Sequence, residues 1–228
     1  GTLTALDASS CPGITGAAFS AIPPTSPLGS LKAAACSALL QVRIRLPGGC
    51  ALRDAAFPGC PHLQSVEISV PSLEALNVSN CKSLTQLSID APRLRRLSAA
   101  LCCQLEDFGL EIGSIVSVEE LNLKQCSSLT STGVDRLTSA TSHLRDLNVN
   151  GCTRVSRVFV TGHAKLSFLD VSGCKALTTV RSSSPVLRSL RASGCGNLKD
   201  VELGTSRLDE LQIRNTNLDC KVATLLYS

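Results

Sequence analysis

The chain has 228 residues, of which 43% are hydrophobic, and its mean hydropathy is +0.20. This apolar content excludes an intrinsically disordered chain and is sufficient for a continuous core. Aromatic residues supply only 3%, so the core must consist mainly of Leu, Val, Ile, Ala and Cys. The 22 basic and 18 acidic residues give a net charge of +4 without blocks of like charge, which argues against a nucleic-acid-binding surface. No apolar run approaches the ~18 residues of a membrane-spanning helix.

One pattern, L-x-x-L-x-h-x-x-C with h small or aliphatic, recurs at intervals of 21 to 26 residues. Periods in this range are typical of leucine-rich repeats. Nine copies end in cysteine, and these are called the ladder cysteines below; the tenth copy ends in Thr216. In chain order, the copies span residues 3–11, 28–36, 52–60, 73–81, 94–102, 118–126, 144–152, 166–174, 187–195 and 208–216.

Each copy is predicted to form a short strand, because alternate residues of a strand face opposite sides. In LEALNVSNC (73–81), the residues Leu73, Leu76 and Val78 are predicted to point inward and those between them outward. Ten such strands in parallel would form a sheet of roughly 45 Å.

The remainder of each turn is predicted to be of two kinds. Alternating apolar residues predict a second strand at 84–90, 155–161 and 198–204. The longer turns have room for a helix instead, and the sequences at 132–138 and 14–21 favour one. Proline and glycine clusters at 22–27 and 46–50 predict irregular loops. The array is therefore predicted to mix β-β turns with longer β-α turns.

The stretch LTSTGVDRLTSATSHLRDLNVNGC (129–152) joins a Leu-Thr-x-x-Gly opening, a helical middle and a Leu-x-x-Leu-x-Val-x-x-Cys close. In these features the chain resembles F-box/leucine-rich-repeat proteins, and the repeat covers nearly the whole sequence. The resemblance implies an α/β solenoid, a right-handed superhelix with a parallel concave sheet. Residues 1–228 are expected to form a single leucine-rich-repeat domain of about ten turns. Because Met is absent even from position 1, we expect the domain to be a fragment of a longer chain.

The ladder cysteines are predicted to be structural, buried and reduced. A thiol at this position is small and can donate weakly to the turn backbone, and the hydroxyl of Thr216 can do the same. Systematic disulfides are disfavoured because an odd number of equivalent cysteines cannot all form pairs. Zinc is disfavoured because no C-x-x-C spacing exists. Cys50, Cys103 and Cys220 lie outside the pattern. So many free thiols favour a reducing compartment, the cytoplasm or the nucleus.

The sequence offers no catalytic constellation. His62, His143 and His163 fall in turns, and we predict surface roles for them. Vicinal Cys102 and Cys103 are interpreted as a ladder residue and an ordinary turn thiol. Glycine-rich phosphate loops are absent. The chain is therefore predicted not to be an enzyme and to need no cofactor or metal.

Function is instead assigned to outward-facing residues of the concave strands. Phe168 is the one aromatic residue at these positions, and large apolar groups on an exposed sheet tend to anchor partners; a single exposed Phe is also ordinary on protein surfaces. Acidic residues at outward positions of the same copy and of the two preceding copies form a patch beside it, and an arginine lies in the following copy. The predicted partner-binding residues are Phe168, Asp146, Asp170, Glu120, Arg191 and Asn148.

Three functions remain open from the sequence. The resemblance implies a non-catalytic protein-interaction module, similar to the substrate-recognition arm of an F-box ubiquitin ligase receptor. A structural scaffold subunit of a large multiprotein complex is the second. The third is the repeat region of an intracellular immune receptor, because LDVSGCKALTTV (169–180) also resembles those repeats. The predicted partners are proteins on the concave face, with no nucleic acid and no membrane.

Overall fold

Short strands and two helices alternate along the chain in a computed structural model, which describes residues 2–205 and 207–218. In chain order the first elements are β1 (Ala5–Asp7), α1 (Ala17–Ser20), β2 (Ser30–Lys32), β3 (Gln41–Arg45), β4 (Asp54–Ala56), β5 (Ser65–Ser69), β6 (Ala75–Asn77), β7 (Gln86–Asp90) and β8 (Arg96–Ser98). A 3-10 helix (Asp107–Gly109) then precedes β9 (Leu110–Ile112), β10 (Glu120–Asn122), α2 (Ser131–Ser139), β11 (Asp146–Asn148), β12 (Arg157–Val160), β13 (Phe168–Asp170), β14 (Thr179–Ser182), β15 (Ser189–Arg191), β16 (Asp200–Leu203) and β17 (Glu210–Gln212).

The ten predicted repeat strands form one parallel sheet in the order β1-β2-β4-β6-β8-β10-β11-β13-β15-β17. Neighbouring copies pair residue for residue, as in Leu147 with Leu169 and Leu169 with Leu190. These central leucines are fully buried, whereas the residues on either side of them face outward. The predicted leucine-rich-repeat solenoid is confirmed, and so is the predicted register. We call the outward face of this sheet the concave face.

Two smaller parallel sheets form the other side of the turns, in the orders β3-β5-β7-β9 and β12-β14-β16. The second strands predicted in the shorter turns are present, and their inward Leu87, Ile89, Val158 and Val160 are buried. We call these two sheets the back sheets. They share one continuous apolar core with the ten-stranded sheet.

The helices occur where two of the longer turns predicted them, at α1 and α2. Thr130 caps α2 by accepting the Thr132 N–H at 3.2 Å, and Asp107 in turn accepts the Thr130 N–H at 2.9 Å. The turn after residue 28 is another of the longer turns with room for a helix, but it contains none. Val42 and Ile44 there alternate with charged residues, so this turn forms the five-residue strand β3 instead. Turn length alone does not decide between strand and helix.

Eight of the nine ladder cysteines are fully buried, and each thiol hydrogen-bonds to the turn before it. Each Sγ donates at 3.0–3.3 Å to the carbonyl of the h residue in the preceding copy. In four of these eight cases the carbonyl also accepts the N–H of its own ladder cysteine, as Ala99 does from Cys102 at 3.3 Å and from the Cys126 thiol at 3.0 Å. The thiols therefore connect successive turns, a longer reach than the donation to the turn backbone that the sequence predicted.

The two ends of the ladder depart from the prediction. Cys11 is exposed, because no described turn precedes it to cover its side chain. Thr216 donates to Ile213 of its own turn at 2.8 Å, so it does not replace the contact between turns. Cys50 lies outside the pattern but is also buried, with Sγ 2.9 Å from the Ser72 hydroxyl. Cys220 lies outside the described residues.

The residue before every ladder position has a positive φ, between 53° and 77°. Four copies place glycine there, and six place another residue, including Ala35 at 53° and Leu101 at 65°. The left-handed conformation turns the chain from the concave strand into the body of the solenoid. Glycine adopts it without the steric cost that a Cβ imposes.

Substituting glycine at this position is expected to stabilise the protein. Ala35→Gly should add up to about 1 kcal/mol, because left-handed backbone costs an L-residue ~1–2 kcal/mol and the greater chain entropy of glycine offsets about half of that. Ala34→Gly is the matched control and should destabilise by about 0.5–1 kcal/mol, since Ala34 has no positive φ. Urea denaturation measures both changes, and shifts of the same sign would contradict the assigned backbone conformation.

Candidate functional site

The six sequence-predicted site residues lie together on four neighbouring strands of the concave face. In one column, Glu120 of β10 pairs with Asp146 of β11, which pairs with Phe168 of β13. In the next column, Asn148 of β11 is followed by Asp170 of β13 and Arg191 of β15. Their assembly follows from the repeat, because equivalent positions of successive copies become neighbours ~4.8 Å apart.

Phe168 is half-buried and has Arg191 against its ring. The Arg191 guanidinium carbon lies 5.2 Å from the ring centroid, within the range of a cation–π contact. Arg191 also binds Glu210 of β17, with Nη2 3.1 Å from Oε2 and Nε 3.2 Å from Oε1. The Ser189 hydroxyl donates to the same carboxylate at 2.7 Å. The hydrogen bond from Ser189 lowers the pKa of Glu210 most, and the hydrogen bonds from Arg191 lower it further.

Asn148 and Asp170 each have a local structural role as well. The Oδ1 of Asn148 accepts the Asn150 N–H at 3.0 Å, and the Oδ1 of Asp170 accepts the Ser172 N–H at 2.9 Å. Asp7, Asn77 and Asn122 do the same at equivalent positions. A short amide or carboxylate side chain two residues before a turn N–H is a known turn signal, and it could have been read from the sequence.

The carboxylates of the site lie close to one another. Burial raises the pKa of Asp146, and the charge of Glu120 raises it further. Asp170 is only 8% exposed although it lies in an outward column. Carboxylates in such surroundings favour a neighbouring positive charge.

A groove that the sequence analysis missed lies on the N-terminal half of the concave face. It has a volume of about 390 Å³, and its lining includes the small residues Ala56, Ala75 and Ser98 together with Arg96 and Glu120. Small outward side chains on successive strands leave this space unfilled. Their occurrence in successive copies is the sequence signal that could have identified the groove.

A row of alternating charges borders the concave strands, and the sequence analysis missed it also. From the third copy to the seventh, the residue before each strand alternates between Arg and Glu, and Glu119 is 3.7 Å from Arg95 and 3.3 Å from Arg145. Arg53 and Glu74 pair at 2.7 Å in the same row. Each exposed pair contributes about 0–1 kcal/mol, so the row aligns neighbouring turns more than it stabilises them.

The surface role predicted for the histidines holds for His62 and His143 and is wrong for His163. His163 is 6% exposed, and its Nε2 lies 3.1 Å from the carbonyl of Thr138 in the last turn of α2. Its Nδ1 has no hydrogen-bond partner among residues 2–205 and 207–218. The ring therefore packs under α2 and closes the last turn of that helix.

The described part of the chain contains no group of three or more His, Cys, Asp or Glu side chains arranged to hold a metal ion. Within the same residues, no helix has the length and apolar character needed to cross a membrane. The outward columns of the concave face present polar side chains, carboxylates and the ring of Phe168.

Comparison with known proteins agrees with the repeat architecture. A family model described as At1g61320/AtMIF1, LRR domain, matches residues 101–228. No curated protein matches the chain. The matched segment is more than half of the sequence and contains all six predicted site residues. The chain therefore belongs to the At1g61320/AtMIF1 leucine-rich-repeat domain family.

Proposed function

We propose that this leucine-rich-repeat chain binds a polypeptide partner on its concave face, around Phe168, and acts without catalysis. Solenoids of this kind are interaction modules, since their stacked turns present an extended binding surface. The single observation that carries the proposal is Phe168, a half-buried aromatic ring in an outward concave column with Arg191 held against it. Aromatic residues, phenylalanine among them, and arginine are enriched at protein–protein interfaces.

The resemblance to F-box/leucine-rich-repeat proteins supports a finer proposal, that the chain is the substrate-recognition arm of a cullin-type ubiquitin ligase. The free cysteines of the described residues support a reducing compartment, the cytoplasm or the nucleus. Co-purification of the full-length protein with a cullin tests the finer proposal. If no cullin co-purified with the protein, the chain would instead be the binding module of another assembly.

Phe159 on the back sheets provides a matched control for Phe168. Both rings are half-buried, and Phe159 also stacks with arginines, at 5.6 Å from Arg157 and 5.3 Å from Arg181. Phe168→Ala is expected to weaken partner binding by at least about 30-fold, since loss of an interface hot spot costs ~2 kcal/mol or more. Phe159→Ala should change it less than about twofold.

The measurement is a quantitative pull-down from the native source with wild type and both variants, normalised to folded protein by circular dichroism. Ser98→Arg is added because it fills the N-terminal groove on the same face. If only Ser98→Arg abolished partner binding, the binding site would lie in that groove, which would contradict the proposal. Loss with Phe159→Ala alone would favour a scaffold subunit held by its back sheets.

A further inference from the structure

The charges of the concave face are not balanced. The two outward columns of the ten-stranded sheet carry more carboxylates than cations. The carboxylates are Asp7, Asp54, Glu120, Asp146, Asp170 and Glu210, and the cations are Lys32, Arg96 and Arg191. This acidic excess contrasts with the net charge of +4 for the whole chain.

Each of the three cations already has its own carboxylate. Lys32 is 3.5 Å from Asp7, Arg96 is 3.9 Å from Asp54, and Arg191 is 3.1 Å from Glu210. Among the described residues, none of the remaining carboxylates has a basic partner within 4.0 Å. Those remaining are Glu120, Asp146 and Asp170, on the consecutive strands β10, β11 and β13. The unpaired charge is therefore concentrated at one place, beside Phe168.

Two of these carboxylates are in surroundings that disfavour an isolated charge. Asp170 is only 8% exposed, and the described residues supply its side chain with a single hydrogen bond, from the Ser172 N–H to Oδ1. Burial and the charge of Glu120 raise the pKa of Asp146 and outweigh the opposing effect of the adjacent Arg145, which is itself paired with Glu119 at 3.3 Å. A buried carboxylate without a cation is costly unless a partner supplies one.

We infer that the partner is a basic polypeptide segment, whose Lys or Arg side chains bind Glu120, Asp146 and Asp170 while an apolar part of the segment packs on Phe168. The inference rests on the proposed concave-face binding and names the chemical class of the partner. Across the three strands the carboxylates span roughly 10 Å, which one or two long basic side chains can cover. A phosphate backbone would be repelled by the same charges.

The inference can be tested with a random 12-residue peptide library displayed on phage and panned on the whole 228-residue chain. The variant is the triple substitution Glu120→Gln, Asp146→Asn and Asp170→Asn. It removes the three charges but retains the turn hydrogen bond, because Asn148 and Asn122 make that bond at equivalent positions. The control is Glu67→Gln, Asp200→Asn and Glu202→Gln, which removes three charges from the back sheets.

Wild type is expected to select peptides rich in Lys and Arg. Synthetic copies of them should bind the triple variant at least about tenfold more weakly and the control within about twofold, since short-range charge pairs in a partly buried site outweigh a change in overall charge. Selection of peptides without basic enrichment, selection of none, or equal binding to the triple variant would overturn the inference.

The variant Phe168→Ala distinguishes a failure of this inference from a failure of the proposed concave-face binding. If the selected peptides are not basic but lose binding with Phe168→Ala, concave-face binding stands and only the partner class is wrong. If they depend on neither change, both proposals fail.

Discussion

Replacing Leu169 by alanine is expected to destabilise the solenoid by about 2–5 kcal/mol, because it opens a cavity that the surrounding turns cannot fill. Leu169 is fully buried at the centre of β13, between Leu147 of β11 and Leu190 of β15. Each turn contacts only its neighbours, so a void in the middle of the array weakens two interfaces between turns at once. Urea denaturation followed by far-ultraviolet circular dichroism measures the loss.

Two controls make this result specific to the core. Asn148→Ala removes an outward side chain and one hydrogen bond to the Asn150 N–H, and should cost about 1 kcal/mol. Leu6→Ala lies at the equivalent inward position of β1 but is only partly buried, so its cost should fall below that of Leu169→Ala. Equal losses for Leu169→Ala and Asn148→Ala would mean that the inward and outward positions are interchanged.

The register of the concave sheet was predictable because the repeat determines it. Once Leu147, Leu169 and Leu190 occupy the same position of successive copies, each must pair with the next, and Asp146 must lie beside Phe168. Strand β3 was not predictable from turn length, because a longer turn accommodates either a strand or a helix. There the alternation of Val42 and Ile44 with charged residues decided the outcome.

The site was predictable in position but not in its interactions. The pairing of Arg191 with Glu210, which removes this arginine as a free contact, depends on the side-chain geometry of residues in adjacent columns of two neighbouring strands. The burial of His163 depends on how α2 lies over the following turn, which no local pattern specifies. Cys11 is exposed because it lies in the first copy of the repeat. A ladder position is buried only when the side chain is covered by a neighbouring turn, which the repeat pattern alone does not show.

Native thiol labelling is expected to divide the cysteines sharply into two groups. Cys11 is exposed and Cys103 is half-buried, so both should react with iodoacetamide in the folded protein. The eight buried ladder cysteines should react roughly 10³–10⁶-fold more slowly, because each must wait for an opening of the solenoid that is populated at about that fraction. Burial also raises the pKa of the thiols of Cys102 and Cys152 to about 12, which keeps them protonated and unreactive at neutral pH.

Mass spectrometry of the labelled protein, before and after unfolding in guanidinium, assigns each rate to its residue. Cys103 and Cys102 form an internal control, since they are adjacent in sequence and differ in exposure, one half-buried and the other fully buried. Rapid native labelling of most ladder cysteines would show that the hydrogen bonds from each thiol to the preceding turn do not exist. Slow labelling of the eight buried ladder cysteines would mean that the stacking of turns closes off these thiols. Within the described part of the chain, redox chemistry would then be left to the two cysteines that are not buried, Cys11 and Cys103.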